Sequence, residues 1–468
     1  MSPVTERAAR VRFRRAMALM VMTLLAPGSA QLLAGNRRVG RIALRLWIGL
    51  LGLGAVTLVA VLVHRDLVYW MASDVTFLLF VRIGLLLGAV GWAMLFIDAW
   101  RIGQPLSYGL AHRRATVGVN GLLCFAVAGT MLFGAHLVGV QRDFIITLFG
   151  DGEVSDPHDG RYNVLLLGAD SGAGRWGLRP DSMTVASIDA DTGRTVLISL
   201  PRNLANFPFR EGSVMDEQFP DGFNCEGCYL NGVSTWASDN TSLFGKSKHP
   251  GIDATVMAIE GITDLKVNYW VMVNLEGFKD IVDAVGGITL NVRQPIPVGG
   301  LGSEVTGYIQ PGVRRLDGHD TLWYARAREG SDDYSRMARQ KCVLNAMLEQ
   351  VSPQTAIRNF EKLARAGAET ISTNLPASEL DRFIPLAMDA RGQKMSTLSL
   401  VPPLINTAEP DIDLIHEKVA DAIDRAEGKA GAPGKKGRRQ PDSVTGGSVG
   451  SLAEGYAANQ ADDLASAC

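Results

Sequence analysis

Residues 160–202 read GRYNVLLLGADSGAGRWGLRPDSMTVASIDADTGRTVLISLPR. Asn163–Gly168, Met183–Ile188 and Thr195–Leu200 are short apolar runs bounded by Gly, Asp and Pro. Runs of that length and content read as strands. Asp189–Arg194 holds an Asp-Thr-Gly turn, so the second and third strands are expected to form a hairpin.

Further along, helical periodicity covers Pro250–Thr263, and Val267–Val273 (VNYWVMV) is a strand. Leu275–Val285 is an amphipathic helix stopped by Gly286-Gly287, a C-terminal stop signal. Ile288–Val292 is a strand. Asp333–Val351 is a long helix, followed by helical patterns at Thr355–Glu369 and Ser378–Arg391 and a last strand at Met395–Val401. Strands interleaved with helices predict a three-layer α/β/α domain with a mixed central sheet over residues 160–425.

Upstream the composition changes. Leu46–Val63, Phe77–Ile97 and Val117–Val140 are apolar enough to cross a bilayer, which takes about 20 residues. Residues 46–145 are therefore expected to be an α-helical transmembrane region of three spans. Arg7, Arg10, Arg12, Arg14, Arg15, Arg37, Arg38, Arg41 and Arg45 precede the first span, and Arg101, Arg113 and Arg114 lie between the second and third. His64–Asp74 carries one Arg and two Asp. The positive-inside rule then places residues 1–45 and 101–114 in the cytoplasm and everything after about residue 141 outside. This solution requires Ala16–Ala34 to be a re-entrant or interfacial hairpin broken at Pro27-Gly28. A signal peptide cleaved near Gly28-Ser29-Ala30, or a complete fourth span, would instead put the large domain inside. Residues 426–468, beginning with the basic, Gly-rich stretch Gly428–Gly450, are expected to be a flexible linker and tail.

The net charge of −2 provides no bulk attraction to nucleic acid. The seven histidines form no metalloprotease motif. Cys124 lies inside a span. Cys225, Cys228, Cys342 and Cys468 are an even set on the oxidising side, so two disulfides are expected, with three connectivities open. Cys225–Cys228 with Cys342–Cys468 is the favoured pairing. Zinc would need a second closely spaced pair, and there is none.

Charged residues gather at the predicted element ends. Asp170 follows the first strand, Arg179 and Asp181 precede the second, and Arg202 follows the third. Arg326 and Arg328 alternate in YARAR; Asp333, Arg336, Arg339 and Gln340 open the long helix. Asp333, Arg336 and Gln340 share a helix face. Arg326 and Arg328 share a face if extended. Six arginines near carboxylates suit a dense anion, because the guanidinium fork pairs bidentately with phosphate oxygens. Two aspartates near strand ends suit Mg²⁺. Taken singly, such residues are ordinarily solvated or paired with one another.

The segments NVLLLGADS, RPDSMTVASID, LISLPRN, YLNGV, VNYWVMVNLEGFKDIVDAVGGI, LDGHDTLWYARAR and DDYSRMARQKCVLNAM resemble, in order, the signatures of the LytR–CpsA–Psr family. The likeness covers about residues 160–350, and ANQADDLASAC at the end resembles actinobacterial members. Two departures stand out. Three spans replace the family's commoner single anchor, and Pro201-Arg202-Asn203 replaces its usual Pro-Arg-Asp.

The resemblance implies transfer of a glycopolymer from a polyprenyl-pyrophosphate carrier in the membrane lipid to a peptidoglycan hydroxyl, forming a phosphodiester. It implies that Asp170 and Asp181 ligate Mg²⁺ (or Mn²⁺). Arg179, Arg202, Arg326, Arg328, Arg336 and Gln340 would hold the pyrophosphate or support its pocket. Asp333 would orient the arginines. Arg179, Asp181, Asp333 and Arg336 would form the catalytic set, with Asp181 and Asp333 both candidates for the base. A pyrophosphatase side activity would use the same site. A different class of function is a non-catalytic membrane regulator that binds lipid-linked wall precursors. The apolar faces of Leu275–Val285 and Val343–Leu348 are candidates for a lipid groove, although such stripes are ordinarily core.

Overall fold

The N-terminal residues form helices whose apolar side chains point outward. In the computed structural model, described residues run from 3 to 429 apart from 65, 106–108, 150–151, 171–178, 301–303, 329–331, 352–354, 356–357, 392 and 394, and include 459 and 468. The chain divides into two units, Met1–Ile145 and Ile146–Cys468.

The first unit comprises α1 (Pro3–Leu25), α2 (Ser29–Ala34), α3 (Arg37–Val63), α4 (Asp66–Ser73), α5 (Val75–Ile102) and α6 (Leu110–Leu148). The predicted spans lie in α3, α5 and α6, three helices long and apolar enough to cross a membrane. Leu46, Leu50, Leu53, Leu58 and Leu62 of α3 are all exposed, as expected of a surface that meets lipid. Asn36 caps α3 by accepting from the backbone N–H of Arg38 and Val39, and Asp74 caps α5 by accepting from that of Phe77, which satisfies orphan donors. The break expected at Pro27-Gly28 separates α1 from α2. Gly28 has φ 93°, and a Cβ there would meet Gly40 O at 2.6 Å. α1 and α2 pack on α5, with Trp92 Nε1 donating to Thr23 O (3.0 Å) and Gln31 Nε2 to Leu95 O (2.9 Å).

In the second unit, β1 (Arg161–Asp170), β2 (Arg179–Asp189), β3 (Thr195–Leu200) and β4 (Tyr269–Asn274) come first. They are followed by β5 (Ile288–Val292), β6 (Ile296–Val298), β7 (Gly307–Ile309), β8 (Gly312–Leu316), β9 (Ile371–Thr373) and β10 (Ser396–Ser399). The main sheet has the order β10-β3-β2-β1-β4-β9. β1–β2, β2–β3 and β4–β9 are antiparallel, whereas β1–β4 and β10–β3 are parallel. The sheet is therefore mixed, as expected. β5–β8 and β6–β7 form separate ribbons.

The helices of this unit are α7 (Val214–Gln218), α8 (Val233–Asp239), α9 (Pro250–Thr263), α10 (Leu275–Ala284), α11 (Gly318–Arg326) and α12 (Asp333–Gln350). α13 (Phe360–Thr370), α14 (Leu380–Arg391) and α15 (Ile412–Glu427) complete the set. Leu165, Leu167, Val185, Ile198 and Leu200 face α8, α9 and α15. The alternate residues Leu166, Ala186, Ile188 and Leu197 face Leu344 and Leu348 of α12. Alternation thus buries both faces and makes three layers. All six residues of β3 are buried, which explains why it reads as a continuous apolar run. Each fully buried Val, Leu or Ile contributes ~1.5–3 kcal/mol.

Several boundaries differ from expectation. β6, β7 and β9 are three residues each, too short for a periodic signal. α15 extends the domain to Glu427 and closes the core with Ile415, Val419 and Ala422. The proposed lipid-groove stripes are core. Val282 and Val343 pack in the cluster beneath β5–β8, and Leu344 and Leu348 pack on the sheet. The predicted flexible linker lies outside the described residues from residue 430 onward. Cys225–Cys228 and Cys342–Cys468 are disulfide-bonded, with Cα–Cα distances of 5.1 and 5.3 Å.

Candidate active site

Antiparallel pairing of Met183 with Leu200 sets the beginning of β2 beside the end of β3. Asp181 and Arg202 therefore meet. Arg202 Nη1 donates to Asp181 Oδ1 at 2.6 Å. The N-terminus of α12 completes the cluster. Asp332 caps it by accepting from the backbone of Tyr334 and Ser335, and this aims Asp333 and Arg336 at the strand ends. Arg202 Nε donates to Asp333 Oδ1 at 3.1 Å. Arg336 Nη2 donates to Asp333 Oδ2 at 3.1 Å and to Asp181 O at 2.8 Å. The i, i+3 relation read from the sequence is thus an ion pair. Only 3 % of the Arg336 side chain is exposed, and its Nε has no hydrogen-bond partner among the described residues.

Charge dominates the site. Burial by itself would raise the pKa of Asp181, but Arg336, Arg202 and Arg328 outweigh it and hold the carboxyl below its usual range. Burial also opposes the charge on Arg202; Asp333 and Asp181 overcome this and raise its pKa. Arg328 goes the other way. Burial, then the like charges of Arg202 and Arg336, depress its pKa, and the two aspartates do not compensate. No hydrogen-bond partner of Arg328 is present among the described residues. A cationic side chain held against two other cations makes a strong positive field into which an anion fits.

Arg179 lies at the edge of this group. Its Nη2 donates to Asn231 Oδ1 at 3.2 Å, and Asn231 N donates to Arg202 O at 3.1 Å. Asn231 is a buried linker that spacing and charge do not reveal; its only sequence signal is its place in the YLNGV segment. Asp170 ends β1 directly across from Arg179, so its backbone is diagonally opposite Asp181. The Asp170 side chain lies outside the described residues.

The remaining predicted residues take supporting positions. Arg326 and Arg328 are not on an extended segment. Arg326 ends α11, and the backbone turns at Ala327, so alternation does not apply. The Arg326 guanidinium lies over the Trp323 ring, 5.5 Å from its centroid. Gln340 Nε2 donates to Ala325 O at 3.3 Å. Arg339, wholly buried, donates from Nε to Tyr324 O at 2.8 Å and from Nη2 to Ala327 O. Burial lowers its pKa to about 10. Arg339 and Gln340 thus pin the segment that leads to Arg328.

The model of the LytR_cpsA_psr family matches residues 141–408, more than half of the chain. The chain belongs to the LytR_cpsA_psr family. Among curated members it is 26% identical over 253 residues to polyisoprenyl-teichoic acid–peptidoglycan teichoic acid transferase TagV of Bacillus subtilis (strain 168), covering 53% of this chain and 58% of TagV. It is 24% identical over 271 residues to biofilm regulatory protein A of Streptococcus mutans serotype c, covering 56% of this chain and 62% of that protein. The aligned part of the chain spans about three fifths of the length of these two relatives. The crystal structure of B. subtilis TagV aligns with 24% identity and a TM-score of 0.41, covering 57% of this chain and 98% of that one. In this LytR_cpsA_psr domain the arginine–aspartate cluster falls wholly within the matched region.

Proposed function

We propose that the chain transfers a glycopolymer from a polyprenyl-pyrophosphate carrier to a peptidoglycan hydroxyl. The observation that carries this reading is the convergence of Arg202 and Arg336 on Asp181 and Asp333 where the strand ends meet the start of α12. Three guanidiniums, from Arg202, Arg328 and Arg336, act on the carboxylates of Asp181 and Asp333, with Arg179 held at the edge by Asn231. A pyrophosphate diester fits that excess, and the transferase activity named for TagV supports the assignment.

In the proposed reaction the acceptor hydroxyl oxygen bonds to the phosphorus that bears the polymer. The bond from that phosphorus to the bridging oxygen breaks, and polyprenyl phosphate leaves with the electron pair. The hydroxyl proton passes to a carboxylate. The arginines hold the phosphoryl oxygens and stabilise the charge that develops on them, and this needs little covalent chemistry from the protein. Asp333 spends both oxygens on Arg202 and Arg336, so it orients the guanidiniums. Asp181 uses Oδ1 for Arg202, and Oδ2 has no hydrogen-bond partner among the described residues. Asp181 is accordingly the carboxylate placed to meet a cation or to accept the proton.

An anionic oxygen at Asp181, with Asp170 on the adjoining strand, suits a hard divalent cation. Mg²⁺ (or Mn²⁺) held there would neutralise pyrophosphate charge. We place the chain in the cell membrane as a multi-pass protein with its second unit outside. The arginine asymmetry between loops and the two disulfides support that orientation.

The test uses the full chain in detergent with a polyprenyl-pyrophosphate oligosaccharide and peptidoglycan. The expected result is phosphodiester-linked product that EDTA suppresses and Mg²⁺ restores. Saturable binding of the lipid with neither transfer nor phosphate release would overturn the reading in favour of a regulator of wall precursors.

A further inference from the structure

We infer that Arg82 and Arg142, in the helical unit, form a site for the phosphate of an anionic phospholipid. The inference goes beyond the transferase reading and needs only that α5 and α6 span a membrane. Arg82 lies within the predicted span Phe77–Ile97, about 10 Å in from the start of α5 at 1.5 Å per residue. Ionisable side chains are rare inside spans, and those present face a partner or a polar cavity. Arg82 has neither a hydrogen bond nor an ion pair among the described residues. It is half-buried, and none of its nitrogens is sealed from the surface.

The packing of α5 on α6 seats the guanidinium. A Cβ on Gly139 would stand 3.0 Å from Arg82 Cζ and 3.3 Å from its Nε and Nη1, so the absence of a side chain at Gly139 admits the arginine. Deeper in the unit, a Cβ on Gly134 would meet Leu85 Cδ1 at 3.5 Å, and one on Gly88 would meet Met131 Sδ at 3.4 Å. The partners run forward along α5 and backward along α6, so the two helices are antiparallel neighbours. Side chains lean toward the N-terminus of their helix, which on α5 is the end at the membrane surface. The guanidinium therefore reaches Gly139, at the close of the predicted span Val117–Val140, where lipid headgroups begin.

Charge chooses the ligand. Arg142 is three residues beyond Gly139 and shares its face of α6; its side chain is 25% exposed. The acid beside it, Asp143, is 68% exposed and 3.9 Å from Arg142 Nη1. Asp74, the acid of the α5 segment nearest in sequence, is more than two turns from Arg82 and accepts from Phe77 N at 2.6 Å. Two guanidiniums beside one acid leave an excess of positive charge. A phosphate fits it, because the guanidinium fork pairs bidentately with phosphate oxygens. In a bilayer that phosphate belongs to a lipid, and basic notches between spanning helices take such headgroups. A zwitterionic headgroup would bring its own ammonium toward the arginines, whereas an anionic one brings no cation. Gln141 Nε2 donates to Ala72 O at 2.6 Å, which ties α6 to α4 and holds this end of the unit together.

The test uses the delipidated full chain in detergent and native mass spectrometry, with phosphatidylglycerol as the probe. The expected result is retention of phosphatidylglycerol in preference to phosphatidylcholine. Arg82→Gln and Arg142→Gln should each weaken that retention by roughly tenfold. Both substitutions remove a charge without adding bulk, and thermal melting without added lipid verifies folding. Equal retention of the two lipids by the wild type would overturn the proposal. So would an Arg82→Gln variant that retains phosphatidylglycerol as the wild type does; if its lipid-free melting temperature also fell, Arg82 would be a helix-packing residue. A polyprenyl phosphate competes in a further arm. Persistence of bound phosphatidylglycerol at equal concentration supports the phospholipid, whereas its displacement would assign the arginines to the carrier and overturn the proposal. Retention is read without turnover, so failure of the transferase reading leaves this result standing.

Discussion

Arg202 and Asp333 are 131 residues apart in the chain, yet Arg202 Nε and Asp333 Oδ1 are joined at 3.1 Å. The same guanidinium reaches Asp181 at 2.6 Å. One side chain therefore ties the end of β3 to the start of β2 and to the first turn of α12. The site holds its geometry through charge-assisted bonds, which are stronger and more directional than neutral ones.

Arg336→Ala should lower the initial rate of Mg²⁺-dependent phosphate release from a prenyl pyrophosphate by ~10²–10³, the usual loss for one electrostatic contact. Arg336→Lys should recover little, because an ammonium cannot pair bidentately with a phosphate as a guanidinium does. Asp181→Asn should lose response to Mg²⁺. Rates with and without EDTA, on protein whose circular dichroism is unchanged, decide the matter; wild-type metal dependence in folded Asp181→Asn would remove the cation from that carboxylate.

Arg339→Met keeps the buried volume but orphans the Tyr324 and Ala327 carbonyls. Each orphaned acceptor costs ~1–3 kcal/mol. The melting temperature should drop by many degrees, and phosphate release should fall through loss of folded protein. A variant as stable as wild type would show that the bonds are not needed.

Lys341 provides a pH signature. It is buried, donates to Ser399 Oγ at 2.5 Å, and burial lowers its pKa to about 7. Between that value and the unfolded value near 10.5, the unfolded chain binds one more proton than the folded chain. Stability from this group therefore rises with pH across that window and is flat below it. The slope is on the order of 1.4 kcal/mol per pH unit. Lys341→Met should be more stable than wild type at pH 7.5 and should lose this slope. Parallel stability curves from pH 7.5 to 10 would contradict the burial argument.

Breaking Cys342–Cys468 releases a closure of 126 residues. Chain-entropy reasoning puts such a closure at about 4–5 kcal/mol, with measured values commonly ~2–4. Cys468→Ser should lower the melting temperature of non-reduced protein and leave that of reduced protein almost unchanged. Mass spectrometry of non-reduced peptides should recover both bridges; four free thiols would refute them.

Topology has its own test. A reporter joined after Asp151 should be active only outside the membrane, and one inserted within residues 101–114 only inside. The opposite pattern would reverse the proposed orientation.

Some of this molecule was legible along the chain. Pro250–Thr263, Thr195–Leu200 and Ile288–Val292 form with the boundaries that their periodicity implies, because side-chain alternation and helical repeat are local properties. Asp333 and Arg336 share a face for the same reason. Local spacing had no information about which arginines serve the site. Arg336 and Arg339 are one helical turn apart. One meets the strand ends; the other is buried because α11 presents two carbonyls to it. Arg326 and Arg328 do not alternate along an extended strand, because α11 ends between them. Asn231 joins the site where segments distant in sequence pack together. Periodicity follows from the covalent geometry of each element. The allocation of charge follows from burial and long-range partners, and those exist only once the sheet and its two helical layers have closed.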